Sequence, residues 1–310
     1  MASRRRQQRL FCFGFGFSAQ VLAERLGRLG WGIAGTCRDA GKRRALAARG
    51  VDAWLFDRDR PLEKAPLALE GATAMLVSAP PDRAGDPVLD HHGGEIAALD
   101  LDWIGYLSTT GVYGDTGGET VDEDAPLRPS SARSRRRVAA EAAWLDLGRR
   151  HGLPVHVFRL AGIYGPGRSA LDQVRLGRIR RIDRPGHLFS RIHVDDIATV
   201  AQASMARPHP GRVYNVCDDE PAAQADVVAF ACSLLGVEPP PPIPFALATQ
   251  EMSAMALSFW ADNRRVDNAR IKDELAVTLA HPDYRAGLRA VLAAERRAGK
   301  NSGAEAGLSR

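Results

Sequence analysis

The stretch from Arg9 to Arg38, RLFCFGFGFSAQVLAERLGRLGWGIAGTCR, restricts what the chain can fold into more than any other part of it. An apolar run, Leu10 to Phe13, leads straight into Gly14-Phe15-Gly16-Phe17-Ser18-Ala19. Leu22, Leu26 and Leu29 then recur at helical spacing, Gly30 and Gly32 stop the helix, and Ile33 to Cys37 forms a second apolar run. Strand, glycine turn, amphipathic helix and strand close within about thirty residues as one βαβ unit.

The chemistry of the turn follows from the side chains it lacks. Gly14 permits a tight bend, and Gly16 leaves no Cβ between the backbone and an approaching phosphate. Ala19 is small enough for the helix to pack closely on the strand. The first N–H groups of the helix then face an anion, so Gly14 through Ala19 are expected to cradle the pyrophosphate of a dinucleotide. Thr36 and Arg38 end the second strand where an acid would hold the ribose of NAD. Arg38 can pair with a 2′-phosphate, so NADP(H) is the expected cofactor and NAD(H) the alternative. Lys42, Arg43 and Arg44 add positive potential nearby, or form a solvated basic face.

At 310 residues and 45% hydrophobic, the chain can bury a full core. No apolar run has the length of a membrane span, and the basic start MASRRRQQR is followed by a strand pattern instead of a signal core. Four separated cysteines suit a reducing compartment, so a cytoplasmic protein is expected. The net charge of +5 comes from scattered arginines, and neither nucleic acid nor membrane is expected as a partner. His91-His92 are adjacent and lack a further ligand set, so no metal is expected.

Further apolar runs, 51–56, 72–77, 103–107, 155–160 and 213–216, alternate with helical or polar pieces and predict a doubly wound parallel sheet, an α/β fold. Asp57 follows the third strand, and Ser78-Ala79-Pro80 ends the fourth at the sheet's carboxyl edge, where ligands bind. These positions are expected to touch the cofactor. A helix is predicted from about Arg133 to Arg150, with Val138, Ala142 and Leu145 on its buried face. The expected organisation is a disordered lead-in (1–8), a Rossmann-type domain (9–235, with 161–190 contributing to substrate binding), a small C-terminal substrate lobe (236–298) and a disordered tail (299–310).

The pieces GFGFSA, STTGVYGD, RLAGIYGPGR, IHVDDIA and YNVCDDEP, in that order over roughly residues 9 to 235, resemble the extended short-chain dehydrogenase/reductase family, which includes nucleotide-sugar epimerases and dehydratases. The resemblance implies a Rossmann-type domain, a lobe that closes over substrate, and a homodimer. It also implies hydride transfer in which a Tyr phenol exchanges a proton with the substrate oxygen, a Lys lowers that phenol's pKa, and a Ser or Thr hydroxyl binds the same oxygen. Thr109 stands at the hydroxyl position.

The Tyr and Lys of the family's YxxxK unit are missing: matching Glu141 to the family's Glu places Arg137 at the Lys and Arg133 at the Tyr. Arg137 retains a charge that can hold the cofactor, but Arg133 cannot act as acid or base at neutral pH. Tyr113, Tyr164 and His193 are the remaining candidates for the proton. The expected function is that of an NADP-dependent oxidoreductase or epimerase/dehydratase-like protein acting on a carbonyl or hydroxyl compound, such as a sugar nucleotide, with a nonstandard proton donor. The alternative is a non-catalytic NADPH-binding sensor or scaffold.

Overall fold

The computed structural model describes residues 6–307, the last ten as backbone alone, so most of the expected lead-in and the end of the tail lie outside the described residues. The first half alternates strictly: β1 (Arg9–Phe13), α1 (Phe17–Arg28), β2 (Gly32–Cys37), α2 (Ala40–Ala47), β3 (Asp52–Leu55), α3 (Ala65–Leu69), β4 (Ala74–Val77), α4 (Pro87–Ala97) and β5 (Trp103–Thr109). The short β6 (Thr120–Val121), then α5 (Ala132–His151), β7 (Val155–Leu160), β8 (Gly162–Tyr164), α6 (Ala170–Arg175), β9 (Ile182–Asp183) and β10 (Arg191–His193) follow. The chain continues through α7 (Val194–Ala206), β11 (Val213–Val216), α8 (Gln224–Leu235), β12 (Ile243–Pro244), α9 (Phe245–Ala248) and α10 (Ala254–Trp260). It ends with β13 (Arg265–Val266), α11 (Ala269–Leu275) and α12 (Tyr284–Gly307).

Seven strands form one sheet in the order β11-β7-β5-β4-β1-β2-β3, and every pair is parallel. A parallel sheet is covered on both faces, which is why its strands read as unbroken apolar runs instead of alternating ones. Leu10, Cys12 and Leu76 face one core, with α1 and α7, while Phe11, Phe13, Met75 and Val77 face the other, with Trp144 of α5. The order reverses between β1 and β4, the switch point where such sheets bind ligands.

A third core joins α6, α8 and α12 through Leu171, Val227, Ala231, Leu288 and Tyr164. A fourth gathers Ile182, Ala248 and Trp260 beside β9 and β12. Chain order does not separate these lobes, because Ile271 and Leu275 of α11 pack in the main core. The helix α12 runs on through Gly299 to Gly307, where the sequence predicts a disordered tail. At the other end, Arg6 reaches Asp100 at 2.8 Å. The helix α5 turns a different face inward from the one its spacing suggests. It buries Ser134, Ala140, Glu141, Trp144, Leu147 and Gly148, while Ala142 is exposed, because Glu141 has a buried partner.

Candidate functional site

The glycine turn is held from both sides. Gly14 has φ +87°, and a Cβ there would lie 2.9 Å from both the Ala79 amide nitrogen and Ser78 Oγ, so no other residue fits. Its N–H donates to Thr36 Oγ1 at 2.8 Å, and its carbonyl accepts from Ser78 Oγ at 2.5 Å. Phe15 donates its N–H to the Thr36 carbonyl at 2.7 Å and buries its ring against Gly35. Phe15, Thr36 and Ser78 therefore shape the turn from within. Gly16 is the open side: a Cβ there would meet only Ser78 Oγ, at 3.8 Å. The helix α1 then starts with no side-chain cap and no acid in its first turn, which leaves its first N–H groups for an anion. Ala19 is fully buried, as its place against the strand requires. These features fit a dinucleotide pyrophosphate.

At the far end of β2, Arg38 is exposed, and both neighbouring acids are already committed. Asp39 caps α2 by accepting the Lys42 N–H at 2.8 Å. Asp57 accepts from Arg60 at 2.7 Å and from the Asp59 N–H at 3.1 Å, which fixes its carboxylate at the end of β3. Pro80 is exposed and Ala79 half-buried at the end of β4. Arg58 clamps the next loop, holding Asp82 at 2.7 Å and Asp90 at 2.6 Å, a tie the sequence did not single out.

Thr109 ends β5 on the same edge. Its Oγ1 accepts the Gly111 N–H at 3.1 Å and starts the 3-10 turn Thr110–Tyr113. A Cβ on Gly111 would lie 3.4 Å from Thr109 Oγ1 and 3.1 Å from Ser134 Oγ, so two hydroxyls flank that glycine. Ser134 Oγ accepts from Ser131 Oγ at 2.9 Å and keeps its own proton to donate. The sequence reading passed over Ser134; its signal was the Ser131 cap one turn earlier. Arg133 is exposed. Arg137 is fixed on β5, donating to the Leu107 carbonyl at 2.9 Å and to Tyr106 Oη at 3.0 Å.

The other candidates are committed elsewhere. Tyr113 Oη donates to Asn215 Oδ1 at 2.7 Å and accepts from Arg159 Nη1 at 2.8 Å. Burial pushes its phenol up to about 12, against the opposing pull of Arg159. Its hydroxyl thus ties β7 to β11 through Arg159 and Asn215. Tyr164 is buried with Oη 3.4 Å from the Asp283 carbonyl, occupying the space that Gly287 leaves by lacking a Cβ, and burial raises its pKa further.

His193 Nδ1 accepts the Asp195 N–H at 3.2 Å and so caps α7. Its ring lies 3.9 Å from that of His281, and burial together with that neighbour pushes its pKa down to about 4. His193, Asp195 and His281 lie close enough to suggest a metal site. His193 Nδ1 is engaged by the helix cap, His281 Nδ1 donates to Asp196 at 2.9 Å, and Asp195 pairs with Arg25 at 3.4 Å, while His193 Nε2 has no partner. The set fits a helix cap better than a cation.

Residues 96–217 match the NAD dependent epimerase/dehydratase family. The chain is 27% identical to Protein YeeZ of Escherichia coli K12, over 87% of this chain and 95% of that one. It is 49% identical to a functionally unknown conserved protein from Silicibacter pomeroyi, with a TM-score of 0.84, over 92% of this chain and 98% of that one. The dTDP-glucose 4,6-dehydratase of Bacillus anthracis, solved in complex with NAD, shares the fold at 16% identity and a TM-score of 0.73, over 94% and 97% of the two chains. The central part of the chain thus resembles the NAD dependent epimerase/dehydratase family over residues 96–217, and the whole chain, with its seven-stranded parallel sheet and open glycine turn, shares a Rossmann-type fold with these neighbours.

Proposed function

We propose that this epimerase/dehydratase-like protein is an NADP-preferring oxidoreductase acting on a carbonyl or hydroxyl compound, with Thr109 holding the substrate oxygen and Ser134, next to the Arg133 that stands at the family's Tyr position, supplying a second hydroxyl across Gly111. The observation that carries the reading is the pair of hydroxyls flanking Gly111 at the carboxyl edge of the sheet. A bound nicotinamide supplies or accepts hydride. Thr109 orients the reacting oxygen, and Ser134 donates the hydrogen bond that Ser131 leaves it free to make. Arg137, anchored on Tyr106 and Leu107, sets positive charge beside that oxygen and favours developing negative charge there. It cannot shuttle a proton, so the proton passes through solvent or a substrate group.

Preference for NADP rests on Arg38, exposed with no free acid beside it. No described helix is long and apolar enough to cross a membrane. A sugar nucleotide remains the first substrate class to try, because the Bacillus anthracis relative is a dTDP-glucose dehydratase. A homodimer is the proposed assembly, on the family resemblance alone. The test is NADPH absorbance during incubation with a panel of aldehydes, ketones and keto-sugars, and loss of dTDP-glucose or UDP-glucose in the presence of NAD(P). Turnover of any one of them supports the reading. Tight NADPH binding with no turnover supports the sensor or scaffold instead.

A further inference from the structure

We propose that the cavity between α6, α8 and α12 is a binding site for a compact organic anion, a carboxylate or phosphate ester on an apolar body, whose charge is met by Arg191. The cavity measures about 400 Å³, within the range of small-molecule sites. Ala170, Val227, Val228 and Leu288 give it apolar walls, and the half-buried Arg191, the buried Tyr164 and the exposed Arg168 also line it. Arg191 Nη1 donates to the Phe189 carbonyl at 2.8 Å and the Ala222 carbonyl at 2.9 Å, which fixes the guanidinium in place.

Among the described residues no carboxylate comes within ion-pairing distance of Arg191. The acid in its field is Asp218, only 2% exposed, with both carboxylate oxygens buried and without a partner. Burial pushes the Asp218 carboxyl up to about 8, with Asp219 and Asp283 adding to the rise and Arg191 opposing it. Neither of its oxygens bonds the guanidinium. A half-buried guanidinium with only two carbonyls for partners and no carboxylate in contact lines an apolar cavity, and an anionic ligand in that cavity supplies the missing contact. This inference stands on the cavity and does not depend on turnover.

Calorimetry on the full chain at pH 7 tests it, with benzoate and phenyl phosphate as probes and benzyl alcohol as the uncharged control. The expected result is one site for at least one of the anions and none for benzyl alcohol, the tighter anion identifying the head group. Arg191→Met should weaken binding about tenfold or more. Ala170→Phe should block the cavity without removing the arginine, and it decides the matter if Arg191→Met does not fold. Melting temperature and NADPH affinity show whether each variant is intact. No binding of either anion up to its solubility limit, or binding that survives both substitutions, overturns the proposal.

Discussion

The phenol of Tyr113 lies between Arg159, 2.8 Å away, and Asn215, 2.7 Å away, and both of its hydrogen-bonding roles are filled. Arg159 is itself buried and pairs with Glu141 at 2.9 Å, while Glu141 accepts from Ser108. Asn215 donates its N–H to Glu123 at 2.7 Å. One polar chain thus ties β5, α5, β7 and β11 together beneath Thr109. Tyr113→Phe is expected to cost about 1–3 kcal/mol in urea unfolding while leaving NADPH binding unchanged. Arg159→Met should cost more, about 3–5 kcal/mol, because it strands Glu141 as an unpaired buried charge. Loss of cofactor binding in a folded Tyr113→Phe protein would give the phenol a role outside this network.

The two glycines of the turn should fail differently. Gly14→Ala sets a Cβ against the backbone of Ala79 at a φ that side chains rarely adopt, so it should lower the melting temperature as well as cofactor affinity. Gly16→Val points into open space and should leave the melting temperature intact while abolishing NADPH binding by calorimetry. Wild-type affinity in Gly16→Val would reduce the turn to a structural one.

Cofactor choice turns on Arg38. Its replacement by Asp should remove or reverse a preference for NADPH over NADH, by about 1–3 kcal/mol in competitive titration. Equal wild-type affinity for the two cofactors would remove Arg38 from the 2′-phosphate.

The phosphate turn was legible in the sequence because its chemistry is local: Gly14, Gly16 and Ala19 sit within six residues and their spacing carries the geometry. The sheet was legible because strands buried on both faces read as apolar runs. The carboxyl edge around Thr109 was less so. Ser134 comes to the same glycine as Thr109 because α5 packs with Glu141 inward, against Arg159 on a distant strand, which helical periodicity does not report. Asp57, expected at the adenine, also pairs with Arg60 three residues on, a tie that the sequence pattern did not show. The placing of Arg191 on a cavity depends on three helices far apart in sequence, which no motif reports.

Acid should weaken the fold through buried imidazoles. His156 accepts the His209 N–H at 2.9 Å through Nε2, and burial pushes its pKa from 6.5 down to about 4. Between those values the unfolded chain binds a proton that the folded one refuses, so stability should fall as pH drops from about 6.5 toward 4 and change no further through this group below that. The limiting slope is about 1.4 kcal/mol per pH unit for each such group, and His187 and His193 act in the same direction. His156→Gln should flatten the pH dependence of the urea midpoint. An unchanged profile would mean that His156 protonates in the folded protein.

The central claim is that Thr109 holds a reacting oxygen, and the kcat of Thr109→Val on whichever substrate the NADPH screen identifies tests it most directly. Valine keeps the branched shape and deletes the hydroxyl. The account predicts a fall of roughly 10²-fold in kcat with NADPH affinity unchanged. A kcat equal to that of the wild type, in a folded protein that still binds NADPH, would contradict it.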